Sequence, residues 1–289
     1  MKLLTKHLLS RLEQTEIPSR RRLRQHHRGE RAAQKKGSSL EFSDYREYLP
    51  GDDIRNIDWN VYARTERLFL KLFLEEQSKP VYFVLDASES MNFGEPTKFE
   101  YARALACALG YVCLLNYDHP RILLIHGASF QAISISSLKH FFPVIRRLEG
   151  IEPEGDTRWS ASLRKIALSN FPRGIFFLLS DFYSVDGWEG MKLLAAAGNE
   201  LHCLQILTDE EVRPEFRGDL RLIDSETKSE SEVSISPSVL KKYDARLKQM
   251  QASVKKTASH SFSSFYSIRT SVPLDQLLLQ NLRRSGILA

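Results

Sequence analysis

The chain reads Val-Tyr-Phe-Val-Leu-Asp-Ala-Ser-Glu-Ser from Val81 to Ser90. Its first five residues are apolar, and the run ends abruptly at Asp86, which is typical of a strand buried on both faces of a parallel sheet. Polar side chains follow at once. Because open α/β sheets bind ligands at the carboxyl ends of their strands, this stretch predicts a buried strand with a functional loop directly after it.

The same alternation of apolar strands and helical segments continues through the rest of the chain. It predicts an α/β fold, with a doubly wound, mostly parallel sheet and helices on both faces. The period-two pattern after Ala132 indicates an antiparallel edge strand. Further strands are predicted at 121–126, 174–181, 201–207 and near 265–268, and helices at 99–115, 138–148, 159–170, 187–197, 238–258 and 274–285.

Charge is distributed unevenly along the chain. The whole chain carries +5, but residues 1–36 contain eleven Lys or Arg and three Glu, a local net charge of +8 that leaves −3 for the remainder. We predict a basic, partly helical N-terminal arm at 1–36, a β-rich segment of short strands and turns at 37–78, and the α/β domain at 79–289. The arm is either a solvated extension or a phosphate-binding surface using Arg20–Arg24 and Lys35–Lys36.

The cysteines and the apolar stretches of the chain indicate the cellular compartment. Cys107, Cys113 and Cys203 show no metal-ligand or redox spacing, so buried thiols in a reducing cytosol are expected. The longest apolar stretch, residues 104–115, is too short to span about 30 Å of hydrocarbon. We therefore expect a soluble, cytoplasmic protein.

Oxygen-bearing side chains collect where the predicted sheet would bind a ligand. Asp86, Ser88 and Ser90 follow the first strand, Asp181 ends the third buried strand, and Thr157 lies in a loop before a helix. Hard oxygen donors favour Mg²⁺, or alternatively Mn²⁺ or Ca²⁺, over Zn²⁺. Neutral hydroxyls leave such a cation partly uncompensated, so a carboxylate from a partner protein could complete its shell. The alternative is a set of helix caps and turn residues, where Asp and Ser are also favoured.

Two resemblances follow from these residues and from the segment before them. The five oxygen-bearing residues resemble the metal-ion-dependent adhesion site of von Willebrand factor A domains, which implies a von Willebrand factor A-like fold and a metal ligated by all five. Leu40–Tyr48, Pro50–Asn60 and Ala63–Thr65 resemble the bacterial family called domain of unknown function fifty-eight. That resemblance implies a MoxR-type AAA+ ATPase as partner, and the chain is similar to the short soluble form of the family.

Opposite charges lie close together between Asp52 and Arg64, in the segment that resembles the second family. One interpretation is a structural clasp of ion pairs and aromatic packing, and another is a docking surface for the ATPase. A nuclease-like two-metal cluster of Glu41, Asp44 and the three aspartates of the motif is a third, without an evident general base beside it. The clasp or docking residues are Asp52, Asp53, Arg55, Asp58, Trp59 and Arg64.

Motifs of several enzyme classes are missing from the sequence. It contains no phosphate-binding P-loop, no dinucleotide fingerprint and no G-x-S-x-G nucleophile elbow. His126 and His202 fall within predicted strands and are expected to be core or edge residues. We predict a metal-dependent protein–protein interaction module, an adaptor or co-chaperone of a MoxR-type AAA+ ATPase rather than an enzyme. The alternatives are a metal-dependent hydrolase and a nucleic-acid binder acting through the basic arm.

Overall fold

A computed structural model describes most of the chain. The described residues are 4–18, 40–75, 78–183, 188–216, 218–223, 230–258 and 263–289. The chain divides into two compact units, one formed by Met1–Arg21 with Lys79–Ala289 and the other by Arg22–Ser78. The basic cluster Arg20–Arg24 and Lys35–Lys36 lies outside the described residues, so the nucleic-acid alternative stays a prediction.

Helices and strands are distributed over both units of the described chain. The helices are α1 Lys6–Arg11, α2 Trp59–Thr65, α3 Lys98–Leu115, α4 Leu138–Glu149, α5 Trp159–Leu168, α6 Glu189–Ala196, α7 Asp209–Val212, α8 Pro237–Ala258, α9 Leu274–Gln276 and α10 Leu282–Arg284. The strands are β1 Leu40–Glu47, β2 Phe69–Glu75, β3 Pro80–Asp86, β4 His119–His126, β5 Ser129–Ser134, β6 Ile175–Ser180, β7 Glu200–Leu207, β8 Gly218–Ile223, β9 Glu230–Ile235 and β10 Ser264–Arg269.

The larger unit is built on a six-stranded sheet. Its strand order is β10-β7-β6-β3-β4-β5, and every pairing is parallel except that of β4 with β5. β5 is therefore the antiparallel edge strand that its alternating sequence predicts. Strands β3 and β6 are central and adjacent, so that Asp86 and Asp181 follow neighbouring strands at the same edge of the sheet.

Two apolar cores cover the two faces of this sheet. Along β3, Val81, Phe83 and Leu85 pack in one core with α3 and α4, whereas Tyr82 and Val84 pack in the other with α5, α6 and α8. This alternation follows from the two-residue repeat of a strand. The prediction of a mostly parallel α/β sheet with helices on both faces is confirmed.

The smaller unit consists of the antiparallel pair β1 and β2 with α2 between them. The prediction of short strands and turns for this segment did not include α2. Asp58 starts the helix, since its Oδ1 accepts hydrogen bonds from the backbone N–H groups of Asn60 at 2.9 Å and Val61 at 3.3 Å. Such capping fixes a helix of seven residues that has little periodic signal of its own.

The N-terminal segment contributes apolar side chains to the larger unit. Leu8, Leu9, Leu12 and Ile17 are buried in the same core as α3. The segment also pairs with the C-terminal residues, because the Ala289 N–H donates to the Glu16 carbonyl at 3.0 Å. The beginning of the predicted basic arm is thus packed structure. Among the residues that the structure describes, no helix combines the length and apolar character needed to cross a bilayer.

The three cysteines are buried free thiols, as predicted. Burial raises the pKa of Cys107 and of Cys203 to about 12, and that of Cys113 well above its usual value. Because the thiolate is the reactive species, the native protein should be inert to Ellman's reagent at pH 8, whereas all three thiols react in guanidinium chloride. Rapid labelling of one thiol under native conditions would contradict this packing.

Candidate functional site

The loop after β3 and the loop before α5 are joined by their backbones. The Glu89 N–H donates to the Gly155 carbonyl at 2.9 Å, and the Glu154 N–H donates to the Ala87 carbonyl at 3.0 Å. These reciprocal bonds hold the Asp-x-Ser-x-Ser segment beside the segment that carries Thr157. Two of the three predicted loops therefore meet.

Thr157 is also fixed to the end of β4. It forms an isolated parallel bridge with Gly127, and the Arg158 N–H donates to the Gly127 carbonyl at 2.9 Å. Ser162 of α5 adds a side-chain hydrogen bond to the same carbonyl at 3.2 Å. Contacts at Thr157 and at the next residue, Arg158, therefore hold this loop against the end of β4.

Asp86 is the centre at which the loops converge. Its Oδ1 accepts hydrogen bonds from the Thr157 hydroxyl at 2.8 Å and from the Ser88 N–H at 3.1 Å. Its Oδ2 accepts a hydrogen bond from the Ser180 hydroxyl at 2.6 Å. One buried carboxylate thus joins β3, the loop before α5 and the end of β6.

Ser88 and Ser90 complete the polar lining of the first loop. Their hydroxyl oxygens are 2.9 Å apart and share a hydrogen bond. Ser88 is buried and Ser90 is half-buried. A 3-10 turn over Glu89–Met91 follows Ser88 and fixes this spacing.

Asp181 follows Ser180 directly and is also buried. Its Oδ1 accepts a hydrogen bond from the Tyr183 N–H at 3.0 Å, and its Oδ2 lies 2.8 Å from the Lys98 ammonium. The same ammonium is 2.5 Å from Oε1 of Glu211. The second aspartate of the site is therefore part of a buried ion-pair cluster.

The turn after Asp181 is conformationally unusual. Phe182 has a φ of 61°, in the left-handed region that side chains other than glycine rarely adopt. Its N–H donates to the Ser180 hydroxyl at 2.9 Å, and its buried ring packs edge-on against Trp159 at 5.6 Å. Packing and hydrogen bonding together hold this strained residue beside the site.

The electrostatics of the two aspartates differ. Burial and the charge of Asp181 raise the pKa of Asp86, against hydrogen bonds from Ser180, Thr157 and the Ser88 N–H that lower it. Burial disfavours the Lys98 ammonium, but attraction by Asp181 and Glu211 outweighs this and raises the pKa of Lys98. Among the residues that the structure describes, Asp86 forms no ion pair with a cationic side chain, whereas Asp181 is paired with Lys98.

The donor set fits a hard divalent cation. The side chains of Asp86, Ser88, Ser90 and Thr157 offer carboxylate and hydroxyl oxygens, the ligand type that Mg²⁺ prefers. Two oxygen pairs among them, Asp86–Thr157 and Ser88–Ser90, are hydrogen-bonded at 2.8 and 2.9 Å, so these oxygens lie close together. Within the described ranges, no cluster of three or more His, Cys, Asp or Glu side chains is suited to a metal, so a cation here would depend on the hydroxyls.

Sequence reasoning missed three residues of this site. Ser180 is adjacent to Asp181 at the end of a strand, and that position was a usable signal. Lys98 occupies the first turn of α3, where a cation opposes the helix dipole, so its placement there was a second signal. Glu211 closes a capping box with Thr208, a pattern that indicates only a helix start.

The acidic motif of the smaller unit forms local contacts instead. Asp52 accepts hydrogen bonds from Arg46 and from the Leu49 N–H, both at 2.8 Å, and these lower its pKa. Asp53 binds the side chain and N–H of Arg55, which lower its pKa in the same way.

The remaining residues of this motif surround α2. Asp58 accepts a hydrogen bond from the Tyr45 hydroxyl at 2.9 Å, and Arg64 donates to the Asn60 carbonyl at 3.2 Å. Trp59 is 60% exposed and contacts Tyr62 edge-on. The three aspartates have different partners, which does not support the nuclease-like alternative, and the docking role stays a prediction.

His126 and His202 lie in strands, as predicted. His202 is buried in β7, where its Nδ1 is 2.7 Å from the Ser264 hydroxyl and its ring stacks on Phe177. His126 is the last residue of β4.

Comparison with known proteins identifies relatives over most of the chain. The family described as Protein of unknown function DUF58 matches residues 44–253. Uncharacterized protein Rv1480 of Mycobacterium tuberculosis is 24% identical over 242 residues, which cover 81% of this chain and 76% of that protein.

Solved structures resemble the chain more distantly. Conserved hypothetical protein BatB from Bacteroides thetaiotaomicron is 16% identical, with a TM-score of 0.43 over 72% of this chain and 98% of that chain. An aerotolerance-related membrane protein from Bacteroides fragilis is 17% identical, with a TM-score of 0.45 over 72% of this chain and 100% of that chain.

Proposed function

The chain belongs to the family Protein of unknown function DUF58, and we propose that its larger unit is a von Willebrand factor A-like domain that binds a partner protein through a divalent metal ion. Asp86, Ser88, Ser90, Thr157 and Asp181 would hold Mg²⁺, either directly or through water. The observation that carries the proposal is the buried Asp86 carboxylate, which accepts hydroxyl hydrogen bonds from two other loops.

The chemistry of the site supports binding rather than turnover. A bound cation supplies an open coordination position for a carboxylate of the partner, while the surrounding hydroxyls add no charge to compensate it. The chain's own groups orient the oxygens: Ser180 holds Asp86, and Lys98 with the Tyr183 N–H holds Asp181. The partner that we propose, on the family resemblance, is a MoxR-type AAA+ ATPase. We expect the interaction in the cytoplasm, where buried thiols stay reduced.

Replacing Asp86 with asparagine is expected to weaken Mn²⁺ binding about 100-fold, because the change removes the charge of the carboxylate on which the Thr157 and Ser180 hydroxyls converge. Mn²⁺ titration followed by electron paramagnetic resonance measures the affinity directly. Asp156→Asn is the matched control, since Asp156 is exposed and adjacent to Thr157. Equal Mn²⁺ affinity of wild type and Asp86→Asn would refute the metal site.

Partner binding is tested separately with purified proteins. The MoxR-type ATPase encoded in the same genome should bind the wild-type chain in Mg²⁺, and binding should be lost in EDTA and in Asp86→Asn. Equal binding in all three conditions, measured by biolayer interferometry, would leave the ATPase as a partner but reject the role of the metal.

A further inference from the structure

The Lys98 ammonium is the least expected group beside the proposed metal site. Its side chain is 1% exposed and lies between two carboxylates, 2.8 Å from Asp181 and 2.5 Å from Glu211. Removing an ammonium from water is costly, and a buried lysine is stable only with close anionic partners. The fold therefore places one buried positive charge against Asp181, the second aspartate of the site.

The position of Lys98 is fixed by α3, to which it belongs, and by α7, which carries its ion-pair partner Glu211. It is the first residue of α3, directly after the Thr97 capping box. Glu211 belongs to the capping box of α7, in which its Oε2 accepts the Thr208 N–H at 2.8 Å. The Tyr243 hydroxyl of α8 donates to the Glu211 carbonyl at 2.7 Å. The ammonium on α3 is thus paired with a Glu211 side chain that α7 and α8 hold in position.

The position of this charge would affect how tightly the neighbouring oxygens bind a divalent cation. Lys98 contacts Asp181 Oδ2, and the adjacent Ser180 contacts Asp86 at 2.6 Å, so the ammonium and the Asp86 carboxylate flank the same strand end. A divalent cation bound with Asp181 as a ligand would share that carboxylate with the Lys98 ammonium, and like charges that share one carboxylate in a buried site repel each other.

We propose that Lys98 is an internal counter-cation that lowers the affinity of the site for divalent metals, and that Glu211 offsets part of this effect. The inference rests on the proposed function, because it concerns the affinity of the same site. It predicts that removing the two charges changes the metal affinity in opposite directions. A role confined to folding or to orienting Asp181 would make both substitutions weaken binding or leave it unchanged.

The experiment is a Mn²⁺ titration of the wild type and four variants by electron paramagnetic resonance, with isothermal calorimetry as a second readout. Lys98→Met should bind Mn²⁺ about tenfold more tightly than the wild type, because one positive charge is removed. Glu211→Gln should bind about threefold to tenfold more weakly, because the ammonium loses its second carboxylate. The double variant should lie between the two, and Glu210→Gln, an exposed neighbour, should match the wild type.

Each outcome decides the inference. If Lys98→Met does not fold, the double variant takes its place: tighter Mn²⁺ binding by the double variant than by Glu211→Gln supports the inference, and equal or weaker binding overturns it. Unchanged or tighter binding by Glu211→Gln overturns it, as does unchanged or weaker binding by a folded Lys98→Met. Binding by Lys98→Met alone, with none by the wild type, would support the inference and reject the proposed function. Absence of binding in every protein would reject both.

Discussion

Gly190→Ala is expected to lower the free energy of unfolding by about 3 kcal/mol. Gly190 lies in the first turn of α6, where an added Cβ would be 2.2 Å from the Ser160 carbonyl oxygen and 2.8 Å from Leu163 Cβ. The obstacle is helix backbone, which cannot rotate away as a side chain would. The N–H of Gly190 also donates to the Ser160 hydroxyl at 2.8 Å, so separating α6 from α5 would break a buried hydrogen bond.

Urea unfolding followed by circular dichroism measures this loss. Gly150→Ala is the matched control, because an added Cβ there meets only the Arg147 carbonyl oxygen, at 3.7 Å. Its φ of −83° suits any residue, so a change within about 0.5 kcal/mol is expected. Equal stability of the Gly190 and Gly150 variants would show that α5 and α6 do not approach as closely as described.

The second large effect concerns the N-terminal segment. Leu12→Ala should lower the free energy of unfolding by about 2–5 kcal/mol, because Leu12 is fully buried in the core that contains α3. The loss combines the transfer energy of the removed methyl groups with the cavity that remains. A change of that size can be measured by the same urea unfolding experiment.

Leu168→Ala provides the comparison for this prediction. Leu168 ends α5 and is 77% exposed, so its truncation should change stability by no more than about 0.5 kcal/mol. If Leu12→Ala behaved like Leu168→Ala, the N-terminal segment would not pack in the core in solution, and the assignment of residues 4–18 to the larger unit would fail.

The predictable part of this molecule is the part with a strong local pattern. Buried runs such as that before Asp86 specify parallel strands, because their apolar character is continuous and their length is that of a strand. The five proposed metal ligands were found in the same way, since each follows a strand or precedes a helix. The structure adds the contacts that bring Asp86, Thr157 and the end of β6 together.

The features that the sequence did not reveal have no periodic pattern of their own. Lys98 is 83 residues from Asp181 and 113 from Glu211, and no periodic pattern indicates which residue of a helix meets a distant loop. The docking of Leu12 was obscured by the basic charge around it, which favoured a solvated, partly helical arm. Helix α2 was missed because it is held by the Asp58 cap rather than by an amphipathic repeat.

The backbone bonds around Thr157 have a thermodynamic consequence. The Glu89–Gly155, Glu154–Ala87 and Arg158–Gly127 hydrogen bonds join the loops of the proposed metal site through backbone groups alone. An ion that binds loops already joined in this way does not have to order them. It binds the native chain but not the unfolded one. For the cation proposed here, the melting temperature should therefore climb steadily with the logarithm of ion concentration above the dissociation constant.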